Sequence, residues 1–482
     1  MGLGRSAVVL GGSAAGLCAA GALAPYFDQV VVLERDELPA DAEHRRGVPQ
    51  SKHPHFLLNA GRRTIGALFP GFEDELIAAG GLHLMPSMDA AYLDGPGWSA
   101  RKRSSMTMIY SSRILIERVL RDKVRELANV VIREGVTVTG LSVQGGRVTG
   151  VDLATAEHID ADFVVDAMGR GSSVGSWLVA AGWPEPEVQT LDAKVTYTSR
   201  WYALPTQRPA SWWWQHLVIM PTLDKGKHPA EHEFLVNFFP IEGNRVIACM
   251  GSWGLEMPRT NDAFVDSARR VRTPLFAAAM EQCAPASEVH LTRSTGNRWR
   301  RYDRWATPPQ GLVFIGDSIC AFNPFYAQGI SSASGSALLL REHLSRAARL
   351  DAGFYARFLV AQRKLLSVPW RLAMARDQGY ACAVGTEMLP EWRRRIVAAM
   401  SGPAFSLIVG AAREDEVVDE HFGKVFNMDE SLADMMRNPR VIAGLVRFGI
   451  RAMLGRRRVP FGFDPQVEPP ATDYSATPAA AR

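Results

Sequence analysis

The chain has 482 residues, 47% hydrophobic and 22% charged, the composition of an ordinary globular protein with room for two or three structural units around a large core. Its formal charge of +4 is small for that length and does not argue for a nucleic-acid partner. Five scattered cysteines without C-x-x-C spacing and eleven histidines without H-E-x-x-H give no zinc or disulfide framework, and fit free thiols in a reducing cytoplasm.

The opening, Ser6 to Glu34, reads as strand, glycine-rich turn, helix, strand and a closing acid. Gly11, Ser13 and Gly16 occupy the key positions of G-x-G-x-x-G, with serine where the second glycine is usual. Gly11 permits the tight turn, a small residue at 13 admits a pyrophosphate, and Gly16 lets the helix pack close to the strand. Glu34 is placed to accept hydrogen bonds from an adenosine ribose. The run from Ala7 to Ala24 also has the length of a signal peptide, but four glycines break it and QVVVLE follows directly. No later uninterrupted apolar run reaches membrane-spanning length.

Arg35 to His55 is polar and contains RRGVPQSKHPH, in which Arg45, Arg46 and Gln50 would reach cofactor phosphates or the far end of a dinucleotide. His53 and His55 would face a cavity, and a solvated loop is the equal alternative. Phe56 to Ala79 has helical spacing with a turn at Pro70-Gly71, and Ala90–Leu93 and Ser105–Tyr110 are strand-like. SSRILIERVLRDKVREL is a helix capped by Ser111 or Ser112. Arg113 lies in its first turn, where the helix dipole disfavours a cation and a bound anion would remove the conflict. Strands follow over Asn129–Thr139 and Leu141–Val151, with a hairpin at Gly145-Gly146. A further strand, Ile159 to Ala167, runs into Asp166-Ala167-Met168-Gly169, an acid followed by small residues as at a ligand cleft.

Residues 190 to 300 hold β-type runs at Lys194–Tyr202, Leu217–Met220, Phe234–Phe239 and Arg245–Trp253, predicting an antiparallel sheet with one face over something large and apolar. Trp212, Trp213 and Trp214 read as core or interface rather than as substrate contacts. Leu312–Ile315 is a buried strand, followed by Gly316-Asp317, a loop with Pro324 and Gln328-Gly329-Ile330, and a helix whose small-residue N-terminus would point free N–H groups at a ligand. Beyond residue 350 the chain reads helical at Phe354–Met374, Trp392–Met400 and Ser431–Leu454, the last broken at Asn438-Pro439. Arg456 to Arg458 complement a helix dipole or meet a membrane surface. The Pro- and Ala-rich residues 459–482 read as a disordered tail.

Three separated segments together resemble the FAD-dependent monooxygenases of the p-hydroxybenzoate hydroxylase-like superfamily: GGSAAG running on to Glu34, Asp166 to Gly169 in place of the D-G motif with Ala-Met inserted, and Gly316-Asp317 continued by Pro324 and Gln328-Gly329-Ile330. Arg113 resembles the family's flavin-contacting arginine. RRGVPQSKHPHFLL and GDSICAFNPFYAQG look most like bacterial epoxidases and hydroxylases of polyketide, polyether and terpenoid pathways, and more distantly like squalene epoxidase. The histidine usual after the G-D motif is replaced by Ser318-Ile319-Cys320, so no histidine role carries over there.

The resemblance implies an α/β protein with a Rossmann-type, glutathione-reductase-like FAD domain at residues 1–190 and 296–350, with 50–110 contributing to the substrate side. It adds a β-sheet substrate domain at 191–295 and a helical region at 351–458. It extends the cofactor set to Gly12, Ala15, Arg35 and Val138. The implied activity is insertion of one oxygen atom from O₂, through a flavin C4a-hydroperoxide, into a small lipophilic substrate of secondary metabolism such as antibiotic biosynthesis. His53, His55 and Tyr326 are the catalytic candidates. With no second glycine fingerprint, NAD(P)H either binds transiently or acts through a separate flavin reductase. The rivals are a geranylgeranyl-reductase-type enzyme, a halogenase (whose W-x-W-x-I-P stretch is missing) and a non-catalytic flavin-binding protein.

Overall fold

The computed structural model describes residues 3–94, 97–224, 228–229, 233–292, 295–456 and 461–476; Arg457 and Arg458 lie outside them. A five-stranded parallel sheet runs in the order Leu312–Phe314, Phe163–Asp166, Gly4–Leu10, Phe27–Leu33, Val130–Arg133. Parallel strands need crossovers that cover both faces, which is why these segments are apolar almost throughout. Ala7, Val9, Val30 and Val32 pack under the helices Ala14–Leu23, Arg113–Arg125 and Gly329–Ser345. Val8, Leu10, Val164 and Phe314 face the other way, toward a three-stranded sheet of Val138–Gln144, Arg147–Leu153 and His158–Asp160. The loops that leave Leu10, Leu33, Asp166 and Phe314 all emerge at the same edge, where α/β sheets hold ligands.

A nine-stranded sheet is built around Thr196–Ala203, Arg245–Ser252, Leu235–Ile241, His216–Ile219 and Ala90–Asp94. Its strands alternate. Leu217, Ile219, Val236, Phe238, Val246 and Ala248 share one core with the helices Asn261–Ala268 and Leu275–Glu281. Trp212 and Trp214 belong to that core, and Trp213 lies under the Arg101 guanidinium, 4.3 Å from its ring centre. Trp201, Phe239 and Ile247 point to the opposite face and pack with Leu58, Tyr110 and Ile114, toward the parallel-sheet unit.

The helix Ala352–Asp377 lies against Gly329–Ser345 and is tied to the strand Leu312–Phe314 by buried Gln362, whose amide donates to the Phe314 carbonyl at 2.7 Å. Beyond it Glu391–Ala412, Glu416–Phe426 and Pro439–Met453 form a small unit of their own core. Two expectations are corrected in this part of the chain. Residues 461–476 are not a free tail: Phe461–Phe463 pairs with Gly97–Ser99, and the Trp98 indole donates to the Val467 carbonyl at 2.9 Å. Phe461 and Phe463, spaced for a strand, and the buried indole of Trp98 outweigh the Pro- and Ala-rich composition. Among the described helices, Glu391–Ala412 is long and apolar enough to cross a membrane, which the short sequence window Trp392–Met400 had cut off.

Candidate cofactor and active site

At the sheet edge, Gly11 has φ +99°, and a methyl on Gly16 would overlap the Gly11 carbonyl oxygen, so the first helix and the turn touch backbone to backbone. Ser13 has φ −91°, an extended geometry open to any residue, which explains the missing second glycine. Its hydroxyl accepts from the Arg113 guanidinium at 2.9 Å. Arg113 is only 6% exposed and is held at the start of its helix by Ser112, whose hydroxyl caps Leu115 N–H at 3.1 Å. A buried cation thus lies across the mouth of a helix N-terminus, the arrangement that binds phosphate.

Behind Arg113 lies a network that the sequence did not disclose. Buried Arg45 bridges Glu34 at 3.1 Å, Asp36 at 3.0 Å and Glu117 at 2.8 Å, and Glu117 in turn lies 3.8 Å from Arg113. Arg113 and Arg45 hold the Glu117 carboxyl below the usual carboxylate range, although burial pushes it the other way. Glu34 also accepts from the N–H of Gly12 at 2.8 Å and of Asp36 at 3.0 Å, so it braces the glycine loop. Asp36, Arg45 and Arg46 line an open cleft with Pro39 and His44, whereas the side chains of Arg35 and Gln50 are in exposed positions. Val138 is not brought to this cleft: it opens a strand paired with Leu153, and Val136 takes the place beside Glu34, donating to its carbonyl at 2.8 Å.

The second and third loops close on the first. Gly316 has φ +74°, and a methyl there would press on the Ala15 side chain, so Gly316-Asp317 lies directly against the first helix. Asp317 faces Arg170 at 3.4 Å; burial pushes its carboxyl above the ordinary range and Arg170 opposes the shift. Asp166 is turned inward instead, accepting from Met168 N–H at 3.0 Å and the Ser172 hydroxyl at 2.6 Å, with burial raising its pKa to about 6. Its role is to shape the loop that carries Gly169 at φ +72°.

The residues fit FAD on two observations. Added methyls at Gly169, Gly171 and Gly329 would meet no protein atom within 4 Å, so the turn after Asp166 and the start of the helix Gly329–Ser345 both present bare backbone to open space. Gln328, 1% exposed, has neither amide atom paired, and Ser331 and Ser332 are buried with unpaired hydroxyls at the start of the same helix. Buried polar atoms without partners are rare in a finished interior and mark a ligand's place. Gly316-Asp317 packs on Ala15 in the first helix, and Pro324, Gln328, Gly329 and Ile330 follow it into the start of the helix Gly329–Ser345.

The catalytic candidates occupy different surroundings. His53 is buried, with Nδ1 2.8 Å from the Ser199 hydroxyl and its ring edge-on to Tyr197; burial lowers its pKa to about 3. His55 donates Nδ1–H to the His53 carbonyl at 3.0 Å, and burial with Arg113 nearby lowers it to about 4. The Tyr326 hydroxyl is committed to Asp377, which also binds the Asn297 amide at 2.7 Å. His216, which the sequence reading passed over, bonds the Asn237 side chain at 3.0 Å and the Tyr110 hydroxyl at 3.2 Å; burial lowers it to about 4.

Neutral buried imidazoles make stability pH-dependent. The unfolded histidines protonate near pH 6.5 and these do not, so their full contribution is present above about pH 6.5 and falls as pH drops toward their folded values. Each of His53, His55 and His216 should cost about 2 kcal/mol between about pH 7 and pH 5. Denaturant unfolding across that range should steepen accordingly, and His216→Gln should remove one imidazole's share of the slope.

The comparisons with known proteins agree with this geometry. No family model matches the chain. A p-nitrophenol 4-monooxygenase from Pseudomonas putida superimposes with a TM-score of 0.59 at 17% identity, over 89% of this chain and 99% of that one. The flavin-dependent brominase Bmp2 gives a TM-score of 0.63 at 12% identity, over 93% of this chain and 100% of that one. By fold the chain is similar to these solved flavin-dependent enzymes. More narrowly, it belongs to the family of protein Rv3254 of Mycobacterium tuberculosis, with which it shares 31% identity over 469 residues, 94% of this chain and 95% of that protein.

Proposed function

We propose that the protein is an FAD-dependent monooxygenase that inserts one atom of O₂ into a lipophilic polyketide- or terpenoid-class substrate. The observation that carries this reading is the register of the large sheet. It sets Ser199, Cys249, Asn237 and Val218 side by side on the face turned to the cofactor unit. This row of short side chains lies between bulkier ones, Trp201, Ile247 and Phe239 on one side and Tyr197 and Leu235 on the other. Ala327, at the end of the loop leading to Gly329, packs against the same aromatic cluster, so the short row lies beside the helix N-terminus.

When bound, reduced FAD supplies the activated oxygen; the chain supplies position and a dry, apolar wall. Ser13, Arg113 and the first helix would hold the pyrophosphate, Glu34 and the Arg45 cleft the adenosine end, and Asp317 the ribityl chain. The N–H groups of Gly329 and Ile330 and the Gln328 amide would stabilise negative charge at the ring's carbonyl end. His53 and His55, whose protonated forms burial disfavours, would line and orient the substrate rather than take its proton, and an olefin requires no base. Tyr326 positions the loop through Asp377. Tyr326→Phe should therefore lower stability by about 1 kcal/mol and leave turnover within a few-fold. A loss of turnover of a hundredfold or more at unchanged flavin content would make Tyr326 a catalytic residue instead.

The test is a panel of lipophilic polyenes and aromatic polyketides incubated with the FAD-loaded protein, NADH or NADPH, with and without an added flavin reductase, and products read by mass spectrometry. Products that gain one oxygen support the reading. Saturated products would assign a reductase, and halide-dependent products a halogenase.

A further inference from the structure

The C-terminal unit exposes an amount of apolar side chain that its own core does not account for. In Glu391–Ala412 no charged residue lies between Ile396 and Ala412, yet Trp392, Ile396, Met400, Phe405 and Leu407 are exposed, Met400 to 68%. Pro439–Met453 is apolar on two faces. Val441, Gly444, Leu445 and Phe448 turn inward, while Ile442, Val446, Ile450 and Met453 form a second stripe at helical spacing that is open, Met453 to 83%. The two exposed faces meet, because a methyl on Gly449 would sit 3.9 Å from Leu407. Exposed apolar area that is continuous across two helices marks an interaction surface.

The charges beside it identify the partner. Arg393, Arg394 and Arg395 directly follow Trp392 at the start of the first helix. The Arg393 guanidinium lies over the Trp392 ring at 5.0 Å, and Arg395 has Glu391 as its ion partner. Exposed Arg440 opens the second helix. An aromatic with cations at the margin of an apolar helix face is the pattern of a segment lying in the headgroup region of a bilayer. We infer that the helices Glu391–Ala412 and Pro439–Met453 dock the protein on an anionic lipid surface, the apolar stripes entering the acyl boundary and the arginines meeting headgroup phosphates. This attachment is peripheral and independent of the oxygenation chemistry. Each arginine near such a surface contributes about fivefold in binding.

The test is flotation of the full-length protein with vesicles of phosphatidylcholine, alone or mixed with phosphatidylglycerol. The protein should float with the mixed vesicles and less with the neutral ones. Trp392→Ser, Ile396→Ser and Met400→Ser together should reduce binding at least about tenfold, with far-UV circular dichroism and thermal midpoint unchanged. Arg393→Glu with Arg395→Glu keeps the apolar area and should abolish the preference for anionic lipid. No flotation with mixed vesicles at low salt, or flotation of both variants equal to the wild type, overturns the inference. So does a stable dimer that ignores vesicles and dissociates in the serine variant, which would assign the face to a second copy of the chain.

Discussion

Gly16→Ala should yield protein without flavin. The added methyl has no room against the Gly11 carbonyl, and both contact partners are backbone, so neither side can swing away as a side chain would. Relief requires lifting the first helix off the first strand, which opens the parallel sheet at Ala7 and Val9, both fully buried. Overpacking of this kind against backbone belongs with the large effects, at roughly 4 kcal/mol or more of stability. FAD content of the purified protein and its denaturation midpoint should fall together. Gly182→Ala is the control: Gly182 has positive φ, which Gly16 inside its helix does not, but its methyl would meet nothing within 4 Å, so it should show only a backbone penalty and retain flavin.

Arg45→Ala should be nearly as damaging for a different reason. It leaves Glu34, Asp36 and Glu117 facing one another without the cation that bridges them at 3.1, 3.0 and 2.8 Å. Removing one partner from a buried ionic cluster costs about 3–5 kcal/mol because the remaining charges lose compensation. The sign of the pH dependence follows. Glu117 has its carboxyl held low in the wild type, so its contribution is present above the ordinary carboxylate pKa and lost as pH falls. In the variant Glu117, left with Arg113 alone, takes up a proton more readily, so the deficit relative to wild type should shrink as pH drops from about 7 toward about 4. A deficit independent of pH would show that Arg45 acts by packing alone.

The glycine loops at the sheet edge were legible in the sequence because each depends on local chemistry. A glycine that must turn or lie against backbone, such as Gly11 or Gly316, can be read at its own position. So can the cation of Arg113 placed where a helix dipole disfavours it. Contacts between distant segments were not legible. Nothing local separates Arg45 from Arg46, yet one is the hub of a buried network and the other lies at an exposed position on the cleft. Glu117, four residues beyond Arg113, gains its meaning only from Arg45 across the fold. Asp166 shows the converse: its motif position suggested a cofactor contact, and its carboxylate is spent on Met168 and Ser172. The sequence was read as helical only over Trp392–Met400, and periodicity reports that a face is apolar, not whether anything covers it.

Labelling with ¹⁸O₂ tests the central claim most directly. The FAD-loaded protein, turning over with a substrate found in the panel, should deliver product in which the new oxygen carries the label and water-derived oxygen is absent at that position. Sustained flavin turnover and product formation without ¹⁸O in the product would contradict assignment as a monooxygenase.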